Sequence, residues 1–242
     1  MLEEQQYRDI AIPQDEVEQK RLLRGLFNVR PPMKTSAEFL AVQDAYLKEA
    51  TAEKGVTAFH ALKPVRAHRY LWQGDITTLA VDAIVNAANA QLLGCFAPNH
   101  SCIDNAIHTF SGVQLRLACD RIMRAQGHEE ETGTAKITPG FNLPAKYVLH
   151  TVGPIVEGRL RKQHKQQLAS CYRSCLALAD ENNIESVAFC CISTGVFGFP
   201  QDRAAEIAVR TVREFRKTYD IQVIFNVFRD DDLRLYKAEL SR

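Results

Sequence analysis

The stretch LLGCFAPNHSCIDNAIH, residues 92–108, crowds Cys95, His100, Cys102, Asp104 and His108 together just after an apolar run. Cysteine is often no more than a small hydrophobe in a core. Core burial gives no reason, however, for three soft ligands at a Cys-x4-His-x-Cys spacing on a loop that leaves a strand. Zinc takes thiolate sulfur at about 2.3 Å and imidazole nitrogen at about 2.0–2.1 Å, and a loop of this length can fold to meet both distances. Three protein ligands leave one tetrahedral position open, the arrangement of a catalytic zinc. A closed structural site needs a fourth ligand, for which His108 and Cys119 are the nearby candidates. Asp104 follows two residues after the last ligand, at an expected helix start, where capping or a dipole contact is the plain role.

A second unusual loop, CISTGVFGFP at residues 191–200, leaves another apolar strand. Its glycines, Gly195 and Gly198, permit positive φ, so consecutive N–H groups can converge on an anion. A helix beginning at Pro200, a residue suited to the first helical turn, adds positive dipole character. A glycine-containing strand-to-helix turn can equally be just a turn.

Hydrophobic periodicity supplies the elements that must hold these loops. Strands are expected at HRYLWQ, DAIVNA, TAKITPG, YVLHTV, SVAFCCI and IQVIFNVF, and helices near 103–126, 163–182, 200–218 and 230–240. Short apolar strands alternating with amphipathic helices predict an α/β sandwich with a parallel or mixed sheet covered on both faces. Ligands of such sheets bind beyond the carboxyl ends of the strands, where both unusual loops fall. The first 65 residues differ. DEVEQKRLLRGLFNV sets Val17, Leu22, Leu23, Leu26 and Phe27 at helical spacing and stops at Pro31-Pro32. TSAEFLAVQDAYLKEA opens with Thr35 and Glu38 as a capping box and carries Phe39, Leu40, Tyr46 and Leu47 along one face. A helical N-terminal extension over 1–65, linked through EKGVTAFHALKP, therefore precedes a main domain over 66–242.

Composition narrows the class. Hydrophobic residues at 46% and charged residues at 24% are ordinary for a globular protein, and a formal net charge of +1 argues against a broad grip on nucleic acid. No apolar run reaches membrane-spanning length, and MLEEQQYRDI has neither the basic start nor the apolar middle of a signal peptide. Seven cysteines without a secretory signal fit a reducing compartment, so a cytoplasmic location is expected. Cys119, Cys171, Cys175, Cys190 and Cys191 are most simply core residues, and His60, His68, His128, His150 and His164 have no ligand spacing.

In chain order, GDIT (74–77), VDAIVNAAN (81–89), IDNAIH (103–108), TGTAKIT (132–138), LPAKYVLHTVGP (143–154) and ISTGVFGFP (192–200) resemble the macrodomain family of ADP-ribose-binding proteins. CFAPNHSC stands where most of that family has a short glycine-rich run. Together with NVRPPMKTSAEFLAVQDAYL it resembles the zinc-dependent bacterial branch, whose members remove ADP-ribose from modified proteins. The resemblance implies a macrodomain-like three-layer α/β/α sandwich with a mixed central sheet behind the helical extension. It implies zinc on Cys95, His100 and Cys102, with Asp104 and Asn89 acting at the distal ribose. Asp75 and the backbone of Ile76 match the adenine end, and Ser193, Thr194, Gly195, Val196, Phe197 and Gly198 match the diphosphate loop. Phe228 is a candidate to pack on the adenine. Zinc would lower the pKa of a water toward about 7, or polarise a sugar or leaving-group oxygen.

The implied partners are ADP-ribose and mono-ADP-ribosylated protein. In related bacteria the protein would be a lipoylated carrier resembling the glycine-cleavage H protein, modified by a sirtuin-like transferase. Two other functions stay open on the residues alone. A reader that binds without hydrolysing has no need of the Cys-His-Cys loop or Asp104, and a hydrolase of a small acylated ADP-ribose would carry the same residues.

Overall fold

The computed structural model describes residues 7–242; residues 1–6 of the expected extension lie outside the described residues. Helix α1 (Glu16–Val29) starts where Asp15 accepts the Glu18 N–H at 3.0 Å and ends ahead of Pro31. Helix α2 (Ala37–Lys54) is capped by Ser36, which accepts from the Phe39 N–H at 3.1 Å, one residue later than the expected Thr35 cap. The anticipated linker is structured. Strand β1 (Thr57–Ala58) and strand β2 (Pro64–Arg66) both lie within it, followed by β3 (Arg69–Gln73), β4 (Leu79–Ala80) and β5 (Ala83–Ala88).

The single helix expected over 103–126 is divided into α3 (Ile103–Ser111) and α4 (Val113–Gln126). Gly112 makes the break at φ 94°, where an added Cβ would stand 2.5 Å from Gln114 Oε1 and 2.7 Å from Gln43 Nε2. Then come β6 (Ala135–Pro139), β7 (Tyr147–Val152), α5 (Lys162–Glu181), β8 (Ser186–Phe189), α6 (Gln201–Phe215), β9 (Gln222–Val227) and α7 (Asp230–Ser241). Strand β8 stops at Phe189, so Cys190 and Cys191 already belong to the loop.

The main sheet runs β2-β3-β9-β8-β5-β7-β6. Neighbours from β3 to β7 are parallel, and the antiparallel pairs β2/β3 and β6/β7 close the two edges. Central β5 explains its own position: Ala83, Ile84, Val85 and Ala88 are all buried, as a parallel strand covered on both faces requires. Helices α5, α6 and α7 pack together over one face; α3 and α4 cover the other, with α1 and α2 outside them. This is the expected three-layer sandwich with a mixed sheet. Among the described residues, no helix is long and apolar enough to cross a membrane.

The extension is bound to this body by polar contacts as well as apolar ones. Gln43 and Thr51 are buried beside Leu47 along α2, whereas the expected contact residue Phe39 is exposed. Gly112 gives α4 no side-chain cap, and Gln43 supplies it from α2, its Oε1 accepting the Val113 N–H at 3.0 Å. Asp44 Oδ1 gathers Gln114 Nε2 at 2.9 Å and Asn142 Nδ2 at 2.7 Å. Substituting Gln43→Ala is therefore expected to lower stability by about 0.5–2 kcal/mol, the range for losing a helix N-cap acceptor. Urea unfolding should show an earlier midpoint with an unchanged slope, and an unmoved midpoint would refute the capping role.

Candidate active site beyond β5 and β8

Strands β3, β9, β8 and β5 are parallel, so the loops that follow them emerge at one edge of the sheet. After β5 the chain turns toward β7 and β6, whereas β8 and β9 lie on the other side of β5. Connections diverge at that switch point and leave a crevice. The Asn89–Cys102 loop, the Cys190–Pro200 loop, Asp75 after β3 and Phe228 after β9 all follow strands at this edge.

Cys95, His100 and Cys102 are brought together, with ligand atoms all within 4.8 Å of one another and each side chain half-buried. Cys95 Sγ stands 3.7 Å from His100 Nδ1. Tetrahedral zinc with ordinary bond lengths requires about 3.6 Å between such atoms, so the donor set fits the metal. His108 and Cys119 do not join it. They lie with His150 in a separate buried group against the sheet. The loop turns at Gly94, φ 80°, where a Cβ would meet the His108 ring at 2.7 Å. Cys102 is the N-cap of α3, its sulfur accepting the Asn105 N–H at 3.4 Å. Burial, together with Cys95 and Asp104, pushes its thiol up to about 11 against that hydrogen bond.

Asp104 is not a cap. It is buried under α3, and its Oδ1 accepts from Asn86 Nδ2 at 2.8 Å. Burial raises its carboxyl to about 6, opposed by Asn86 and the Arg116 charge. His108 Nε2 lies 3.6 Å from the same oxygen, but burial, His150 and Arg116 hold that imidazole well below its usual pKa. At neutral pH it is an uncharged neighbour and not an ion-pair partner. Asn86 Nδ2 also donates to His150 Nδ1 at 3.2 Å, which leaves His150 Nε2 to donate to Thr138 Oγ1 at 2.9 Å. Burial alone depresses His150 to about 3. Sequence reasoning assigned neither Asn86 nor His150 a role.

Asn89 holds the start of the loop after β5 as a turn residue, accepting the Gln91 N–H at 3.1 Å and donating to the Gly94 carbonyl at 3.0 Å. At the other end of the crevice Asp75 accepts from the Thr77 N–H at 3.0 Å and Thr77 Oγ1 at 2.6 Å. Its Oδ2 accepts from Lys54 Nζ of α2 at 2.9 Å, a partner the sequence did not reveal. Burial pushes this carboxyl up, and Thr77 and Lys54 outweigh it to hold the group below its ordinary value. Ile76 is buried in the core, while Phe228 stands 75% exposed.

The Cys190–Pro200 loop departs from expectation in its backbone. Left-handed φ falls on Ser193 (65°) and Gly198 (66°), and not on Gly195. Pro200 is the N-cap of α6 and lies just outside the helix. Thr194 Oγ1 donates to the Cys191 carbonyl at 2.9 Å, and the Phe199 N–H donates to the Ser193 carbonyl at 3.0 Å, which closes the loop. Among the described residues the N–H groups of Gly195, Val196 and Phe197 have no acceptor, and Val196 is 80% exposed. These amides are the loop's means of holding an anion. Ser193 fits its place because Gly153 faces it: a Cβ there would stand 2.0 Å from Ser193 Oγ.

A family model described as Macro domain matches residues 85–208. A protein of Treponema medium named protein-ADP-ribose hydrolase is 58% identical over 241 residues, 97% of this chain and 92% of its own length. A Staphylococcus aureus protein of the same name is 56% identical over 225 residues, 91% of this chain and 84% of its own. Among solved structures, the Trypanosoma brucei macrodomain in complex with ADP-ribose superposes with a TM-score of 0.68 at 31% identity, covering 93% of this chain and 96% of that one.

The Gly153–Ser193 contact makes a direct test of how the second loop is held. Gly153→Ala must push Ser193 aside, since serine Oγ cannot share space with a methyl group. Amide hydrogen exchange should rise over residues 193–199 while β7 stays protected. Unchanged exchange there would show that the loop is held by other means.

Proposed function

The chain belongs to the macrodomain family, and from that premise we propose that it is a zinc-dependent hydrolase removing ADP-ribose from mono-ADP-ribosylated protein side chains. The observation that carries the zinc dependence is the Cys95, His100, Cys102 cluster on the loop from β5, with its three ligand atoms within 4.8 Å of one another. Binding alone has no use for it. When bound there, zinc supplies Lewis acidity at the distal-ribose end of the crevice.

The chain's own residues bind and orient the substrate. Asp75 accepts from the adenine amine, the Ile76 N–H addresses the ring, and the exposed Phe228 packs on it. The free amides of Gly195, Val196 and Phe197 hold the diphosphate without a basic patch. Asn89 orients the distal ribose. Holding the adenine and diphosphate places C1 of that ribose at the reacting end without itself advancing the reaction. Cleavage at C1 builds positive charge there, as in glycoside hydrolysis. Asp104 keeps Oδ1 on Asn86 and offers Oδ2 to take the proton of the attacking water. Resemblance to the bacterial branch points to a lipoylated carrier protein, modified by a sirtuin-like transferase, as the protein substrate.

The test is purification without chelators, followed by zinc analysis and assay of ADP-ribose release from proteins modified at defined side chains. About one zinc per chain is expected, lost in the Cys95→Ala, Cys102→Ala double variant; unchanged zinc in that variant would sink the ligand assignment. Bound zinc with no release from any modified protein would mark a reader, and release from small acylated ADP-ribose alone would mark a metabolite hydrolase. Asp104→Asn should slow single-turnover release by about 10²–10⁴-fold with ADP-ribose affinity little changed. Gly195→Val, whose added Cβ meets no protein atom within 4 Å, should fold normally and bind ADP-ribose more weakly. Wild-type calorimetry for that variant would remove the loop from the diphosphate site.

A further inference from the structure

The segment from Leu93 to Cys102 contains no helix or strand, so its polar backbone groups depend on side chains reaching in from elsewhere. Those side chains come from three helices. Arg116 of α4 donates Nε to the Leu93 carbonyl at 2.7 Å. Asn105 of α3 donates Nδ2 to the Ala97 carbonyl at 3.1 Å and the Cys95 carbonyl at 3.5 Å. Cys102 is itself fixed as the cap of α3. The two cysteines are thus held from within the sandwich.

The His100 segment is held from outside it, by the N-terminal extension. Arg24 of α1 donates Nη2 to the His100 carbonyl at 3.2 Å and to Asn105 Oδ1 at 2.9 Å, joining the ligand loop to the residue that braces it. One turn further, Asn28 accepts the Asn99 N–H through Oδ1 at 2.9 Å while its Nδ2 donates to Thr109 Oγ1 at 3.0 Å. Asn28 is only 1% exposed, and Asn99 has the left-handed φ of 56°. Gly25, between the two, lets α1 approach closely, since a Cβ there would stand 3.3 Å from Asn99 Nδ2. Among the described residues, no other group bonds the His100 carbonyl or the Asn99 amide.

We propose that α1 is a clamp on the metal loop, with Arg24 and Asn28 as positioning residues that set the orientation of His100 and so the residence time of the metal. The metal half of this inference rests on the zinc reading above; the clamp half concerns the loop itself. Partners that orient a metal ligand in this way are commonly worth 10–100-fold in metal affinity when removed.

The experiment uses the full chain and four variants. Arg24→Met removes the donors at similar length, Asn28→Ala removes the second anchor, Arg24→Lys keeps charge and reach, and Arg21→Ala changes an exposed neighbour on the same helix. Zinc transfer to a chromophoric chelator is timed, and amide exchange over residues 95–102 is followed on the metal-free chain. Arg24→Met and Asn28→Ala should lose zinc 10–100-fold faster and exchange faster at 97–100, with β5 and β7 still protected. Arg24→Lys should fall between, and Arg21→Ala should match the wild type. Wild-type zinc loss and wild-type loop exchange in the folded Arg24→Met and Asn28→Ala chains would overturn the proposal, as would exchange raised uniformly across the sheet. If the unaltered chain holds no zinc, the zinc reading fails and the exchange measurement alone decides the clamp. If Arg24→Met does not fold, Arg24→Lys and Asn28→Ala decide on the same readouts.

Discussion

A side-chain amide in the middle of a buried parallel strand is costly unless its hydrogens find acceptors, and Asn86 of β5 meets that condition at the centre of the site. Its Nδ2 donates to Asp104 Oδ1 on α3 and to His150 Nδ1 on β7, the residue directly opposite it in register. One amide thereby fixes the rotation of α3 over the sheet, the tautomer of a buried histidine and the direction of the carboxylate assigned to the chemistry. Without this donor, Asp104 would be a carboxyl at 5% exposure with no hydrogen bond, a state that costs several kcal/mol or forces protonation. The loops at the crevice are built outward from this point.

Cys102 shows where local stability yields to chemistry. A helix N-terminus prefers serine, threonine, aspartate or asparagine, whose oxygens accept the orphan amides well. Here a sulfur does so at 3.4 Å. The choice is explained by the other contact of the same atom, its place with Cys95 and His100. Such breaches of local preference are expected where a residue serves the site as well as the fold.

Much of this was legible in the sequence because it is local. Apolar runs gave the six long strands, the Cys-x4-His-x-Cys spacing gave the cluster, and the order of the motifs gave the family. What was not legible depends on residues far apart in the chain. Lys54 reaches Asp75 only because α2 packs beside the turn after β3, and Arg24 reaches His100 across 76 positions. Asn86 and His150 meet through strand register, which no spacing encodes. The break at Gly112 hid for a different reason: a helical pattern runs straight through it, and it is the backbone turn to φ 94° there that requires a residue without a side chain. Left-handed backbone was expected at Gly195 and Gly198; it falls on Ser193 and Gly198, and Gly153 leaves the space that the Ser193 side chain fills.

The extension bears on both ends of the crevice, and the two contacts differ in kind. At the Leu93–Cys102 loop α1 bonds backbone, which a ligand has no need to displace. At Asp75, Lys54 bonds a carboxylate that the proposed function also assigns to adenine. Lys54 is partly buried over the Phe110 ring, 3.2 Å from its centroid, and burial lowers its pKa against the pull of Asp75. An adenine that displaced it would leave a desolvated ammonium behind. The carboxylate has room for both, however: Thr77 occupies Oδ1 and Lys54 takes one site on Oδ2, out of about four lone-pair positions in all. An exocyclic amine can therefore add to Oδ2 while Lys54 stays in place. On the proposed function, Lys54 of α2 then orients this carboxylate without competing with adenine for it.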